Sequence, residues 1–181
     1  MLGRMNLSTA LTRGLILPAF LAASLATPAT AGPSKTYNYT GNVAAVCKIG
    51  TSTSYAVSIL VTNASGSNRN FTISLDGTAG NTVSGNNNVT TVTKTYATIC
   101  NQNTAKTLTI TIPRATFGSN NLNYTIVVKD QNNAQLATAT SPTGTTVTIP
   151  ANTSANYTIT ASTSVVNNTI AGTYAATVTI Q

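Results

Sequence analysis

The chain contains no histidine, glutamate or tryptophan, and its only acidic residues are Asp76 and Asp130. General acid–base catalysis needs a side chain that exchanges protons near neutral pH, and histidine or glutamate usually supplies it. Without histidine, neither a Ser–His–Asp triad nor a Cys–His pair can form. A two-carboxylate glycosidase would need the two aspartates to converge from 54 positions apart (130 − 76 = 54). These absences predict a binding or structural protein, not an enzyme, without cofactor or metal ion.

Basic residues outnumber acidic ones, but they do not cluster. The nine lysines and arginines give a formal net charge of +7. A nucleic-acid groove would show a basic stripe with interleaved aromatic residues, and none is visible, so we expect no nucleic-acid partner. A weakly basic, solvated surface is favoured, and loose attraction to anionic cell surfaces is the alternative.

The first 31 residues have the pattern of a cleaved export signal. Arg4 and Arg13 precede and flank an apolar run over 14–26 that is too short to span a membrane, and Ala29-Thr30-Ala31 has the small-x-small form of a cleavage site. Residues 1–31 are therefore predicted to be a signal peptide. The exported chain has 150 residues (181 − 31 = 150), which suits one domain, and a net charge of 7 − 2 = +5.

The only cysteines are Cys47 and Cys100. An even count in an exported chain predicts a disulfide, here closing a loop of 54 residues (100 − 47 + 1 = 54). Two buried free thiols are the alternative. A metal site is weaker still, because no histidine, glutamate or second cysteine pair accompanies them.

Apolar residues recur with a period of two through nearly the whole exported chain, with threonine at many of the intervening positions. This alternation predicts half-buried strands, and turn signals rich in Asn, Gly and Ser separate them, as in an all-β sandwich or barrel. Residues 89–100 are strand-like with an ambiguous phase, and 76–88 form the longest predicted loop. The alternating positions are Tyr55, Val57, Ile59, Val61; Phe71, Ile73, Leu75; Leu108, Ile110, Ile112; Leu122, Tyr124, Ile126, Val128; Val147, Ile149; Tyr157, Ile159, Ala161; and Tyr174, Ala176, Val178, Ile180.

A regular strand is also predicted at the start of the exported chain, in "KTYNYTGNVAAVCKI", residues 35–49. Its alternating face carries Tyr37, Tyr39, Val43 and Ala45, with Gly41 as a gap in the row. Chain termini usually fray, so this alternation raises the question of which sheet the strand fills.

Four stretches occur in a characteristic order: "GNVAAVCKIGTSTSYAVSI", "YATICNQNTAKTLTI", "LNYTIVVKD" and "NTIAGTYAATVTIQ". In that order they resemble exported subunits of chaperone–usher pili, especially the archaic branch that includes the spore coat protein U domain. The resemblance covers most of residues 43–181. It implies an immunoglobulin-like β-sandwich over 47–181 that lacks one strand, preceded by an N-terminal extension over 32–46.

The resemblance also implies a mechanism of assembly, donor-strand exchange, which is a form of strand addition. A periplasmic chaperone would lend the missing strand, and at the outer-membrane usher the extension of the next subunit would replace it. The implied donor residues are Tyr37, Tyr39, Gly41, Val43 and Ala45. The implied C-terminal groove strand carries Tyr174, Ala176, Val178 and Ile180.

The expected function is therefore a structural subunit of a cell-surface fimbria, secreted through the periplasm and polymerised with neighbouring copies, that supports adhesion or biofilm formation. In the alternative, residues 35–45 pair within their own domain. The chain would then be a self-complete secreted sandwich that binds glycans or cell surfaces, as an adhesin or a coat protein.

Overall fold

The structure, a computed structural model, describes residues 44–63, 68–164 and 167–181. Within these ranges the chain is all-β, with fourteen strands and no helix. Two antiparallel sheets pack face to face as an immunoglobulin-like sandwich, which confirms the predicted fold class. The strands alternate polar and apolar residues because each sheet buries only one of its faces.

The first sheet has the order β1-β6-β13-β10-β11. Its strands are β1 (Cys47–Ile49), β6 (Val89–Cys100), β10 (Thr125–Lys129), β11 (Gln135–Thr140) and β13 (Thr153–Ser164). The β6–β13 ladder is the longest in this sheet, because these two strands pair over their full twelve residues.

The second sheet has the order β12-β7-β14-β2-β3-β4, with β5 beside β3, β8 beside β14, and β9 beside β8. Its strands are β2 (Ser54–Asn63), β3 (Arg69–Leu75), β4 (Thr78–Ala79), β5 (Val83–Ser84), β7 (Lys106–Thr111), β8 (Ala115–Phe117), β9 (Asn120–Leu122), β12 (Gly144–Ile149) and β14 (Gly172–Ile180).

The core consists of the alternating rows that the sequence predicts. All of the predicted row positions are buried except Leu122 and Ala176, which are half-buried. The intervening threonines point outward and pair across strands, as the Thr93 and Thr160 hydroxyls do at 2.9 Å. Such cross-strand pairs add modestly to the stability of a sheet whose main stabilisation is the buried face.

The structure settles the phase of β6. Its inward-facing residues are the even-numbered ones, from Thr90 to Cys100, and they include Lys94 and Tyr96 in half-buried positions. The inner face of this strand is therefore more polar than that of any row in the predicted core. The reason is its place near the side of the sandwich, where the two sheets no longer cover each other fully.

The predicted long loop over 76–88 contains two short strands, β4 and β5, so the prediction of an uninterrupted loop was wrong. Asp76 and Gly77 have φ values of 44° and 77° and form a two-residue hairpin turn in which Leu75 pairs with Thr78. Asp-Gly suits such a turn because both positions need positive φ. The hairpin folds 78–84 back along the outer edge of β3.

The predicted disulfide is present. Cys47 and Cys100 are direct partners in the β1–β6 ladder, and their sulfur atoms are bonded. The bond joins a three-residue strand to the end of the twelve-residue β6. It therefore fixes the start of the described chain to the longest ladder of the first sheet.

We predict that replacing both cysteines with serine lowers the melting temperature by about 10 °C. Closing a loop of this length contributes roughly 4 kcal/mol in the chain-entropy treatment, and about 1 kcal/mol corresponds to 2–4 °C in a domain of this size. Differential scanning calorimetry, with and without reductant, measures the change. Equal melting temperatures for the oxidised wild-type protein and the double variant would show that the bond contributes nothing to stability.

Candidate functional site

The segment that leads into β1 is held by one residue, Asn101. The Asn101 Oδ1 atom accepts a hydrogen bond from Val46 N at 2.6 Å, and its Nδ2 atom donates to Ala44 O at 3.0 Å. The Asn101 backbone N donates to Val46 O at 2.9 Å. Residues 44–46 thus continue the line of β1 past the end of β6, with the disulfide at the next residue.

Of the five predicted donor residues, the structure describes one. Ala45 is exposed and lies outside any strand, between the two backbone groups that Asn101 contacts. Tyr37, Tyr39, Gly41 and Val43 lie outside the described residues. Their role as donor residues stays a prediction.

The four predicted groove residues lie on β14. Tyr174, Val178 and Ile180 are buried, and Ala176 is half-buried. The Tyr174 hydroxyl donates to Ile170 O at 3.0 Å, and burial raises the pKa of this phenol. These side chains therefore belong to the core of the sandwich described here.

The strand β14 has partners on both edges. Along one edge, residues 172–179 pair antiparallel with residues 54–61 of β2. Along the other edge, β7 pairs with the end of β14 and β8 with its middle. One edge of the C-terminal strand is thus filled by β2 of the same chain, whereas its other edge is paired only at Ala175, Thr179 and Ile180. The assignment of β14 as a groove strand in an assembled state stays a prediction.

One of the unpaired strand edges among the described residues lies on β6. Ala97 O accepts a hydrogen bond from Gly50 N at 2.8 Å, so the odd-numbered residues of β6 direct their backbone groups away from β13. Because this direction alternates along a strand, Thr91, Thr93 and Thr95 present their N–H and C=O groups on the same side. Among the described residues, no strand pairs with them there.

This edge is narrow and partly covered by the turn region of the β3–β4 hairpin. Gly80 packs on the Thr91 carbonyl so closely that a Cβ would clash with its oxygen atom. The Thr90 hydroxyl donates to Asn81 O at 2.5 Å, and Lys94 Nζ donates to Asp76 O at 2.9 Å. Short neighbouring strands and inward-pointing charges are ways in which proteins prevent an edge from pairing with another chain.

Asp76 is the centre of a polar cluster at the same side of the sandwich. One carboxylate oxygen accepts from Ala56 N at 2.7 Å, and the other accepts from the Tyr96 hydroxyl at 2.6 Å. Tyr96 packs edge to face on Tyr55, with ring centroids 4.9 Å apart, and Lys94 Nζ lies 5.7 Å from the Tyr96 ring centroid. The cluster thus joins β2, the β3–β4 turn and β6.

The electrostatics of this cluster favour neutral tyrosines. Burial, together with the Asp76 charge, raises the pKa of Tyr55 to about 12. Burial and the hydrogen bond to Asp76 also raise the pKa of Tyr96. Both phenols therefore stay protonated at neutral pH, and Tyr96 remains a donor to the carboxylate. The arrangement joins three elements at the edge of the sandwich through hydrogen bonds to Asp76.

The second aspartate has separate partners. Asp130 follows β10, and its Oδ1 atom accepts from Asn132 N and Ala134 N, both at 2.9 Å, in a local turn. Across the residues that the structure describes, no group of three or more metal-ligating side chains is found, and no helix is long and apolar enough to cross a membrane.

The sequence did not reveal that Asp76 and Lys94 help to cover the β6 edge, because it left open which side chains of β6 face inward. The cysteine carried the missing signal. A disulfide-bonded Cys100 must face inward. Because side chains alternate along a strand, the even-numbered Lys94 and Tyr96 then face inward as well. The contact between the β3–β4 turn and β6 had no signal in the sequence, because the two elements meet only when the sheets stack.

Comparisons with known proteins leave the family open. No protein-family model matches the chain, and comparisons with curated proteins and with solved structures found no significant match. The similarity to archaic chaperone–usher pilins therefore rests on the sequence motifs alone.

We predict that Gly80→Ala destabilises the domain by about 1–3 kcal/mol, as forced overpacking usually does. A Cβ there would push the β3–β4 hairpin away from the Thr91 carbonyl. Urea unfolding measures the change. Thr78→Ala in the same hairpin is the control, since Thr78 is exposed and surface substitutions rarely exceed about 0.5 kcal/mol. Equal effects of both variants would contradict the close packing of Gly80 on β6.

Proposed function

We propose that the chain is an exported, non-enzymatic structural subunit of a cell-surface fibre, in which residues 32–46 of one copy add as a strand to the next. The observation that carries this proposal is the anchoring of the segment's base. Residues 44–46 are held by Asn101 and followed at once by the disulfide to β6. The alternating pattern of residues 35–45 supplies the side chains that a neighbouring copy would bind.

This anchoring suits a subunit that carries tension along a fibre. A pull on residues 32–46 reaches Cys47 and passes through the disulfide to β6, so the three-residue β1 does not bear it alone. From β6 the force spreads over the twelve residue pairs to β13. Antiparallel hydrogen bonds lie perpendicular to the strands, so a pull along the strand loads many of them together.

The proposal that this fibre is a fimbria follows from the resemblance to chaperone–usher subunits. Under it, a periplasmic chaperone and an outer-membrane usher assemble the fibre by donor-strand exchange, and the fibre supports adhesion or biofilm formation. The sequence order of the motifs supports this route. Because β2 fills one edge of β14, a donor strand that pairs with β14 would have to use the incompletely paired edge towards β7 and β8 or displace β2.

We predict that deleting residues 34–42 abolishes fibres and leaves a folded subunit. The deletion removes the alternating row and keeps Asn101, the disulfide and the sandwich intact. Electron microscopy of surface fibres and sedimentation of the secreted protein measure the outcome. Fibres of normal length from the deleted chain would exclude the donor role.

A matched pair of single substitutions tests the same row more finely. Tyr39 lies on the alternating face and Thr40 on the opposite face of the predicted strand. Tyr39→Ala should lower fibre yield strongly, since burial of a large side chain contributes about 1.5–3 kcal/mol. Thr40→Ala should leave the yield unchanged, and equal losses would count against a strand with one buried face.

The second candidate function is a self-complete secreted sandwich that binds glycans or cell surfaces. The observation in its favour is that β2 pairs with residues 172–179 of β14 and so fills one edge of the C-terminal strand from within the chain. Four side chains of β2 (Tyr55, Val57, Ile59, Val61) are at most 1% exposed, so this strand is an integral part of the core.

The state of the exported protein without a chaperone separates the two candidates. A self-complete sandwich should be a stable monomer by analytical ultracentrifugation and should unfold reversibly. A subunit that lacks a strand should aggregate or exchange strands, because an exposed edge and groove promote both. In both candidates we expect a folded sandwich in which β2 stays in place. A stable monomer that also assembles through residues 32–46 would therefore support a fibre built from complete sandwiches.

A further inference from the structure

A surface cleft lies at the end of the sandwich opposite the disulfide. It has a volume of about 640 Å³, and its walls come from the start of β6, the end of β13, the start of β10 and the chain between β7 and β10. The lining is mostly hydroxyl and amide groups, with apolar contributions from Val89 and Leu122.

Arg114 is the only charged residue that lines this cleft among the residues described. Neither aspartate is close to it along the strands. Asp130 lies five residues beyond Thr125, which lines the cleft, a distance of about 17 Å along β10. Asp76 contacts Tyr96, seven residues from Val89 on β6, which is about 23 Å along that strand. The cleft therefore carries one positive charge with no carboxylate beside it.

Arg114 is placed by the residues around it. It follows Pro113 in the short segment between β7 and β8, and its neighbours Ile112 and Ala115 are buried. Ile112 N donates to Thr143 O at 3.2 Å, which ties this segment to the turn before β12. The backbone that presents the exposed Arg114 side chain is thus fixed on both sides.

The floor of the cleft is also cross-linked. The Thr163 hydroxyl donates to Asn123 O at 2.7 Å, and the Thr125 and Thr140 hydroxyls pair at 2.7 Å. Tyr124 N donates to the buried Ser141 hydroxyl at 3.0 Å. These bonds join β10 to β13 and β11, so the cleft is preformed, and a ligand would lose little free energy in ordering it.

We propose that this cleft binds a carboxylate-bearing saccharide. The Arg114 guanidinium would pair with the sugar carboxylate, since its planar donors match a carboxylate in bidentate geometry. Hydroxyl and amide groups of Asn121, Asn123, Ser162 and Ser164 would exchange hydrogen bonds with the sugar hydroxyls, and Val89 and Leu122 would contact its C–H faces. Anionic surface polysaccharides of a host or a biofilm matrix contain such units.

The proposal names a ligand class for the second candidate function, the binding of glycans or cell surfaces, and rests on it. It does not depend on how residues 32–46 assemble. All residues of the cleft belong to the sandwich body, at the end away from Asn101 and the disulfide. Saccharide binding and fibre formation can therefore be measured on one sample and can fail separately.

The test is isothermal titration of the whole exported chain with a tetrasaccharide of galacturonic acid. The reference ligand is the same tetrasaccharide with its carboxyl groups reduced to alcohols. We expect the acidic ligand to bind at least tenfold more tightly than the reduced one. Arg114→Gln should remove that difference. Lys106→Gln, an exposed charge loss at the far end of β7, is the matched control and should change affinity less than twofold.

Several outcomes would overturn the proposal. Equal affinity for the acidic and reduced ligands would exclude carboxylate recognition, as would equal losses in Arg114→Gln and Lys106→Gln. If only a sulfated tetrasaccharide bound, the cleft would recognise sulfate and not carboxylate, and the proposed ligand class would be wrong. Absence of binding to all three, with normal sedimentation of fibres in the same sample, would refute the cleft and leave the fibre proposal standing.

Discussion

The pairing of β2 with β14 is the interaction on which the rest of the sandwich depends. It places two alternating rows, one from each strand, in the same buried layer. It also carries β3 and its hairpin to the side of the sandwich, where Gly80 and Asp76 meet β6. Without β2 in that place, β14 would have a free edge and β6 would lose the cover of the β3–β4 turn.

The two ends of the sandwich differ in chemistry, and the difference suggests a division of roles. At one end, Asn101 and the disulfide fix residues 44–46 to the long β6–β13 ladder, which suits a mechanical attachment. At the other end, Arg114 lies alone in a polar cleft. Under the two proposals, the chain is held at the first end and binds its ligand at the second.

The sides of the sheets show which features cover strand edges in a chain with so few charged residues. With only two acids and nine basic residues in all, charge repulsion along every edge is not available. The chain instead uses a short β1, an inward-facing Lys94 and a glycine that packs on a carbonyl. Features of this kind hinder regular strand addition at an exposed edge such as that of β6.

The sequence by itself determined the alternating rows, their burial and the one possible cysteine pair, because alternation with a period of two is a local property and the chain has only two cysteines. The two-residue strands β4 and β5 were not predicted, because so short a stretch shows no alternation. Only the tertiary structure decided which strands are neighbours. The placement of β2 beside β14, the inward turn of Lys94 and the cleft around Arg114 all arise from contacts between residues distant in the sequence, and alternation carries no information about the partner that a strand edge will meet.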